Sequence, residues 1–162
     1  MRSFPTLFLV MLGLYSLFYS CEKDDICLEE TLPTPRLNIS FVDAQNPELS
    51  KEVQGLQIKS LSIDSILPVS DPYLLPLRQD QSFTEFEFTT NLGTDTESKT
   101  LIQFTYQRKD EYINRACGFR GTYFLNEQSV AQSDPSNSWI LGFEIRQDTI
   151  SNEETVHLAL YH

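Results

Sequence analysis

The chain has 162 residues, with 12 Lys plus Arg against 23 Asp plus Glu and a formal charge of −11. That length suits one domain. An acidic chain with no basic stripe is poorly suited to nucleic acid or to electrostatic attraction by anionic lipid headgroups.

Residues 1–20 divide as an export signal does. Arg2 gives a short positive start, residues 7–14 are apolar, and cleavage is expected near Ser20. The uncharged run 3–20 is 18 residues long, the lower limit for spanning a bilayer, and Pro5 interrupts it. A retained signal anchor is therefore the alternative. Cys21 follows at once and opens the acidic run Cys21-Glu22-Lys23-Asp24-Asp25. A cysteine at that boundary reads as the lipid-attachment residue of a bacterial lipoprotein, held to the membrane by acyl chains such as palmitate. The preceding Phe18-Tyr19-Ser20 is bulkier than the usual processing site. Without residues 1–20, which carry Arg2 and no acid, the chain is one charge more negative.

Residues 21–34 read as an acidic tether. Three cysteines occur in the chain. With Cys21 lipidated, Cys27 and Cys117 remain, and two thiols in an oxidising compartment tend to pair. Two unpaired cysteines are the alternative. Neither has the close Cys or His partners of a metal site.

The folded domain is expected over 35–162, with strands of period two. Leu37, Ile39 and Phe41 alternate with Asn38, Ser40 and Val42. Leu56, Ile58, Leu61 and Ile63 suggest a second, bent strand. Residues 73–77 are bounded by prolines and read as edge or loop. Residues 83–90 alternate through Thr84, Phe86 and Phe88. Residues 101–108 and 112–117 read as a hairpin turning at Lys109-Asp110. Residues 122–125 form a further strand, and 126–132 could hold one helical turn. Residues 132–138 are a polar loop. Residues 139–146 set Trp139, Leu141, Phe143 and Ile145 on one face, and 155–161 set Val156, Leu158 and Leu160 on one face. No long stretch carries the spacing of an amphipathic helix. The expected fold is all-β, a single antiparallel β-sandwich domain, with a small β-barrel as the alternative.

Candidate sites are sparse. Arg108, Lys109, Arg115 and Arg120 concentrate basic charge and could form a patch for an anion or a partner's acids; local ion pairing is the competing explanation. Arg115 shares parity with Ile113 and Cys117, so it could project partly inward and need a buried acceptor. Trp139, Tyr106, Tyr112, Tyr123 and Tyr161 suit either sugar stacking or core packing. Glu85 and Glu87 share a strand face about 7 Å apart, conceivable as a glycosidase pair and as readily two exposed acids. His157 and His162 differ by an odd spacing and fall on opposite strand faces, which suits a two-histidine metal site poorly. Asn152-Glu153-Glu154 reads as a solvated turn between strands. No catalytic motif, cofactor fingerprint or metal-ligand pattern emerges.

The runs Cys21-Glu22-Lys23-Asp24-Asp25-Ile26-Cys27, Thr34-Pro35-Arg36-Leu37, Arg115-Ala116-Cys117-Gly118-Phe119 and Asn152-Glu153-Glu154 span nearly the whole chain. In these the chain resembles an uncharacterised family of Bacteroidota lipoproteins with a domain of unknown function. The resemblance implies a secreted lipoprotein of one β-rich domain, here expected at the outer membrane, favours pairing of Cys27 with Cys117, and implies no activity. Lys23-Asp24-Asp25 also resembles the signal for display on the outer face of that membrane. The expected role is a binding or accessory module of an envelope complex with a protein or glycan partner. A small enzyme acting on glycans and a purely structural lipoprotein are the alternatives.

Overall fold

The computed structural model describes residues 26–28 and 31–162. The export signal, Cys21 and the acidic run after it lie outside the described residues. Contacts divide the described residues into two units: a small one from residues 26–28, 31–32 and 112–119, and a large one from residues 33–111 and 120–162.

Twelve strands follow in chain order: β1 Leu37–Val42, β2 Gln57–Ser60, β3 Ser65–Leu67, β4 Tyr73–Leu75, β5 Phe83–Thr90, β6 Ser98–Thr105, β7 Gln107–Asn114, β8 Gly118–Phe124, β9 Val130–Gln132, β10 Gly142–Ile145, β11 Thr149–Ile150 and β12 Leu158–Tyr161. They form sheets ordered β10-β12-β1-β4, β3-β2-β5-β6-β9 and β11-β8-β7. The fold is nearly all-β, a β-sandwich with no closed barrel among the described residues.

The alternation predicted for β1 and β5 builds the core. Leu37, Ile39 and Phe41 from β1 meet Phe86 and Phe88 from β5 and Ile102 and Phe104 from β6, all 0–2 % exposed. Phe41 and Phe88 meet edge-to-face at 6.3 Å, which joins the first sheet to the second. Burying each such ring stabilises the fold by about 1.5–3 kcal/mol. Tyr106 and Tyr123 meet edge-to-face at 5.0 Å and bring β8 into the same core.

One pairing departs from the antiparallel pattern. β1 and β12 run parallel, with Ile39 opposite Leu158 and Phe41 opposite Leu160. The crossover between them is the whole intervening domain, so no short loop constrains their direction.

Several elements differ from the sequence expectation. The bent strand through Ile63 is a hairpin of β2 and β3. Asp64 takes φ 47° in its turn, and Ile63 and Ile66 are exposed. The expected turn at Lys109-Asp110 lies inside β7. The chain breaks earlier, at Tyr106, whose ring is drawn into the core, and reverses later, before Gly118 at φ 70°. Residues 126–129 make a β-turn rather than a helical turn, closed by Ser129 N–H donating to the Asn126 carbonyl at 2.9 Å. Before β10 the parity inverts: Ile140 is buried and Leu141 is 70 % exposed. Here the Trp139 indole donates Nε1–H to the Phe88 carbonyl at 3.2 Å, and the Leu141 N–H donates to the Tyr161 carbonyl at 2.8 Å.

Candidate functional site

A densely bonded polar group of the large unit lies where β1 begins. Glu153 holds Arg36 three ways: Oε1 accepts the backbone N–H at 2.9 Å and Nε–H at 2.8 Å, and Oε2 accepts from a terminal nitrogen at 2.7 Å. Bonding to Arg36 holds the Glu153 carboxyl below its ordinary range. Asn152 Oδ1 accepts the N–H groups of Glu154 and Thr155 and so shapes the loop. The turn expected at Asn152-Glu153-Glu154 is therefore a clamp on β1, although those residues show only a polar loop in the sequence.

Asn38 continues the clamp. Its side-chain amide donates to the Glu153 carbonyl at 2.9 Å, and its backbone N–H donates to His157 Nδ1 at 3.0 Å. Both side chains are buried. Burial holds the His157 imidazole below its ordinary pKa, while the Glu153 charge pulls the other way. Acceptance at Nδ1 suits the neutral ring with its proton on Nε2. His162 lies elsewhere, edge-on to Phe41 and Trp139 at 6.0 and 5.7 Å. Among the described residues no group of three or more His, Cys, Asp or Glu is placed to hold a metal.

The four basic residues have different surroundings. Arg108 pairs with Asp110 at 2.5 Å and donates to the Gln79 carbonyl. Its guanidinium lies over Gly121, where a Cβ would stand 2.7 Å from Nε, so a larger residue there would push the Arg108 side chain aside. Arg120 donates to the carbonyls of Pro33, at 3.2 Å, and Ser151. Both guanidinium groups are thus engaged within the large unit, although the buried Arg108 Nε–H has no partner among the described residues. Lys109 is exposed there. Arg115 belongs to the small unit and is exposed, not inward as its parity suggested, because it sits in the turn between β7 and β8 where strand alternation has ended.

The aromatic residues do not gather into one platform. Tyr106 and Tyr123 are core, and the Tyr106 hydroxyl meets Thr84 at 2.7 Å and the Arg78 carbonyl at 2.8 Å. Trp139 stacks on Phe41 at 6.0 Å. The Tyr161 hydroxyl bonds Glu144 at 3.0 Å. Glu85 and Glu87 are half-buried on the face of β5 opposite the core phenylalanines, and Lys99 lies 3.4 Å from Glu87. A cleft of about 330 Å³ opens beside β1, lined by Asn38, Ser40, Lys51, Glu52, Asp71 and Tyr73. Its Lys51 is already engaged, 3.5 Å from Asp43 and 2.8 Å from the His162 carbonyl.

The small unit is built on a disulfide. Cys27 and Cys117 are bonded, with Cα atoms 4.9 Å apart and a sequence separation of 90. Asn114 Oδ1 accepts the Cys117 N–H at 2.7 Å and shapes the turn. The Thr31 hydroxyl lies 3.7 Å from Cys117 Sγ. Tyr112 and Phe119 meet edge-to-face at 5.3 Å while remaining 54 % and 64 % exposed. The Tyr112–Phe119 pair escaped the sequence reading; the only available signal was two aromatics flanking a cysteine-bearing turn.

A model described as a family of unknown function (DUF6452) matches residues 52–162. No curated protein matches the chain, and no solved structure matches it. The matched segment covers β2 through β12, including the Glu153–His157 clamp and Cys117, and begins after β1, the strand on which the clamp closes. The chain belongs to the DUF6452 family of unknown function.

Proposed function

We propose that the chain is exported, lipid-anchored through Cys21, and serves as a binding or accessory module of an envelope complex. The Cys27–Cys117 disulfide carries the reading, because such bonds persist in oxidising compartments outside the cytosol. The signal-like segment ending at Ser20 and the cysteine directly after it support the same address. The resemblance to Bacteroidota lipoproteins supports an outer-membrane location, and Lys23-Asp24-Asp25 supports display on its outer face.

The binding role is favoured over a glycan-acting enzyme by the carboxylates. Glu87 has Lys99 beside it, and neither Glu85 nor Glu87 lines the cleft beside β1. Binding through a protein or glycan partner needs only surface.

Two measurements test the proposal. Cys21→Ala releases the protein from membranes on fractionation; continued retention points to an uncleaved signal anchor. Affinity capture of the lipidated protein from its own membranes recovers a partner protein or glycan; recovery of neither removes the binding role.

A further inference from the structure

We propose that the disulfide-closed turn around Cys117 is a second, non-covalent membrane contact. In it, Tyr112 and Phe119, with Ile26 and Leu28 flanking Cys27, enter the boundary between headgroups and acyl chains. This rests on the lipid anchor proposed above and adds a defined surface to it.

Three observations combine. The first is exposure: Ile26, Leu28, Tyr112 and Phe119 are 69, 63, 54 and 64 % exposed, all within one small unit. Apolar side chains exposed together mark a surface that docks, and aromatic rings favour the membrane interface.

The second is reach. Cys27 lies six residues beyond Cys21, a span of about 20 Å when extended. Cys117 Cα is 4.9 Å from that of Cys27. With acyl chains on Cys21, the turn cannot leave the bilayer surface by more than about 25 Å. Phe119 is two residues from Cys117, so the apolar pair is held beside a lipid phase at all times. An effective concentration imposed by a short link makes even a weak contact count.

The third is charge. Among the described residues of the small unit, Arg115 is the single charged side chain, and a cation suits the phosphate level of a membrane. The tether carries acids, and the whole chain is at −11. Attraction between opposite charges therefore does not drive the contact. Apolar burial does, so added salt leaves it in place.

The test uses the lipidated full chain carrying Phe119→Trp, reconstituted in vesicles of phosphatidylethanolamine and phosphatidylglycerol with brominated acyl chains. Trp139 is the one native tryptophan, so the parent protein supplies the background. Insertion about 5–10 Å past the headgroups predicts roughly a two-fold loss of emission from the introduced indole, unchanged by high salt, and little change in the parent. Flotation with the vesicles reports the anchor independently. A protein that floats with the introduced indole unquenched overturns the membrane contact. An introduced indole shielded from aqueous acrylamide but not quenched by bromolipid, together with a cross-linked dimer, also overturns it and assigns the surface to a second copy. A fully processed protein that fails to float removes the anchor, and this inference with it.

Discussion

His157 Nδ1 accepts the backbone N–H of Asn38 at 3.0 Å, across 119 residues of sequence. The same two residues are joined by the His157 N–H donating to the Asn38 carbonyl at 2.9 Å. Together the bonds seat the entry to β12 against β1, where the sandwich has its one parallel pairing among the described residues.

That relationship predicts a pH dependence. The folded imidazole titrates below its ordinary value of 6.5, chiefly because it is buried. Between the folded and unfolded values the unfolded chain binds more protons, so stability falls as pH falls. The contribution is fully present above pH 6.5 and is lost progressively as pH drops through the folded value. His157→Asn, whose Oδ1 can stand in for Nδ1, should flatten this part of the profile. Urea midpoints measured from pH 8 to pH 5 check it; an unchanged slope in the variant would refute the assignment.

The Arg36–Glu153 clamp should be worth little more than an exposed pair, despite three bonds. Arg36 is 49 % and Glu153 29 % exposed, and solvent screens such pairs. Glu153→Gln should cost about 1 kcal/mol, with part of the loss recovered in high salt. A double-mutant cycle with Arg36→Met gives the coupling. Glu153 has its carboxyl depressed by Arg36. Its share is therefore present above the ordinary value of 4.5 and disappears as pH falls through the folded value.

Phe86 is fully buried and contacts Phe88 and Phe104 at centroid distances of 6.4 and 6.0 Å. Phe86→Ala should cost about 3–5 kcal/mol through lost transfer energy and the cavity left behind. Phe119→Ala, on an exposed ring, should shift stability by no more than about 0.5 kcal/mol. Denaturant unfolding of the two variants side by side separates core from surface.

Removing the disulfide with Cys27→Ser and Cys117→Ser should lower stability by about 4–5 kcal/mol on the chain-entropy estimate for a closed loop of this length. The native protein should show no reactive thiol at either position before reduction. Two thiols labelled under native, non-reducing conditions would contradict the bond. Limited proteolysis should cut near residue 28 in the double variant faster than in the parent.

Much of the strand content was legible because alternation is a local property. Phe83 to Thr90 reads as β5 from its own residues, and Phe86 and Phe88 point inward as their parity requires. Tyr106 is buried on the same face as Ile102 and Phe104, as alternation requires, but the run breaks there between β6 and β7, and ahead of β10 Ile140 is buried while Leu141 is exposed. Alternation does not encode where a strand stops. The polar features were harder still. Arg36 and Glu153 are ordinary surface residues until folding brings them 2.7 Å apart.

A signal-like segment, a cysteine at its boundary, an acidic chain and an all-β domain can be read residue by residue, because each rests on composition or a period of a few residues. The parallel β1–β12 pairing, the burial of His157 under Asn38 and the exposed Tyr112–Phe119 pair at the disulfide-closed turn emerge with the folded chain. These depend on contacts or exposure that a local pattern does not encode: alternation says which way a side chain faces within a strand, and only the assembled chain says which neighbour it meets.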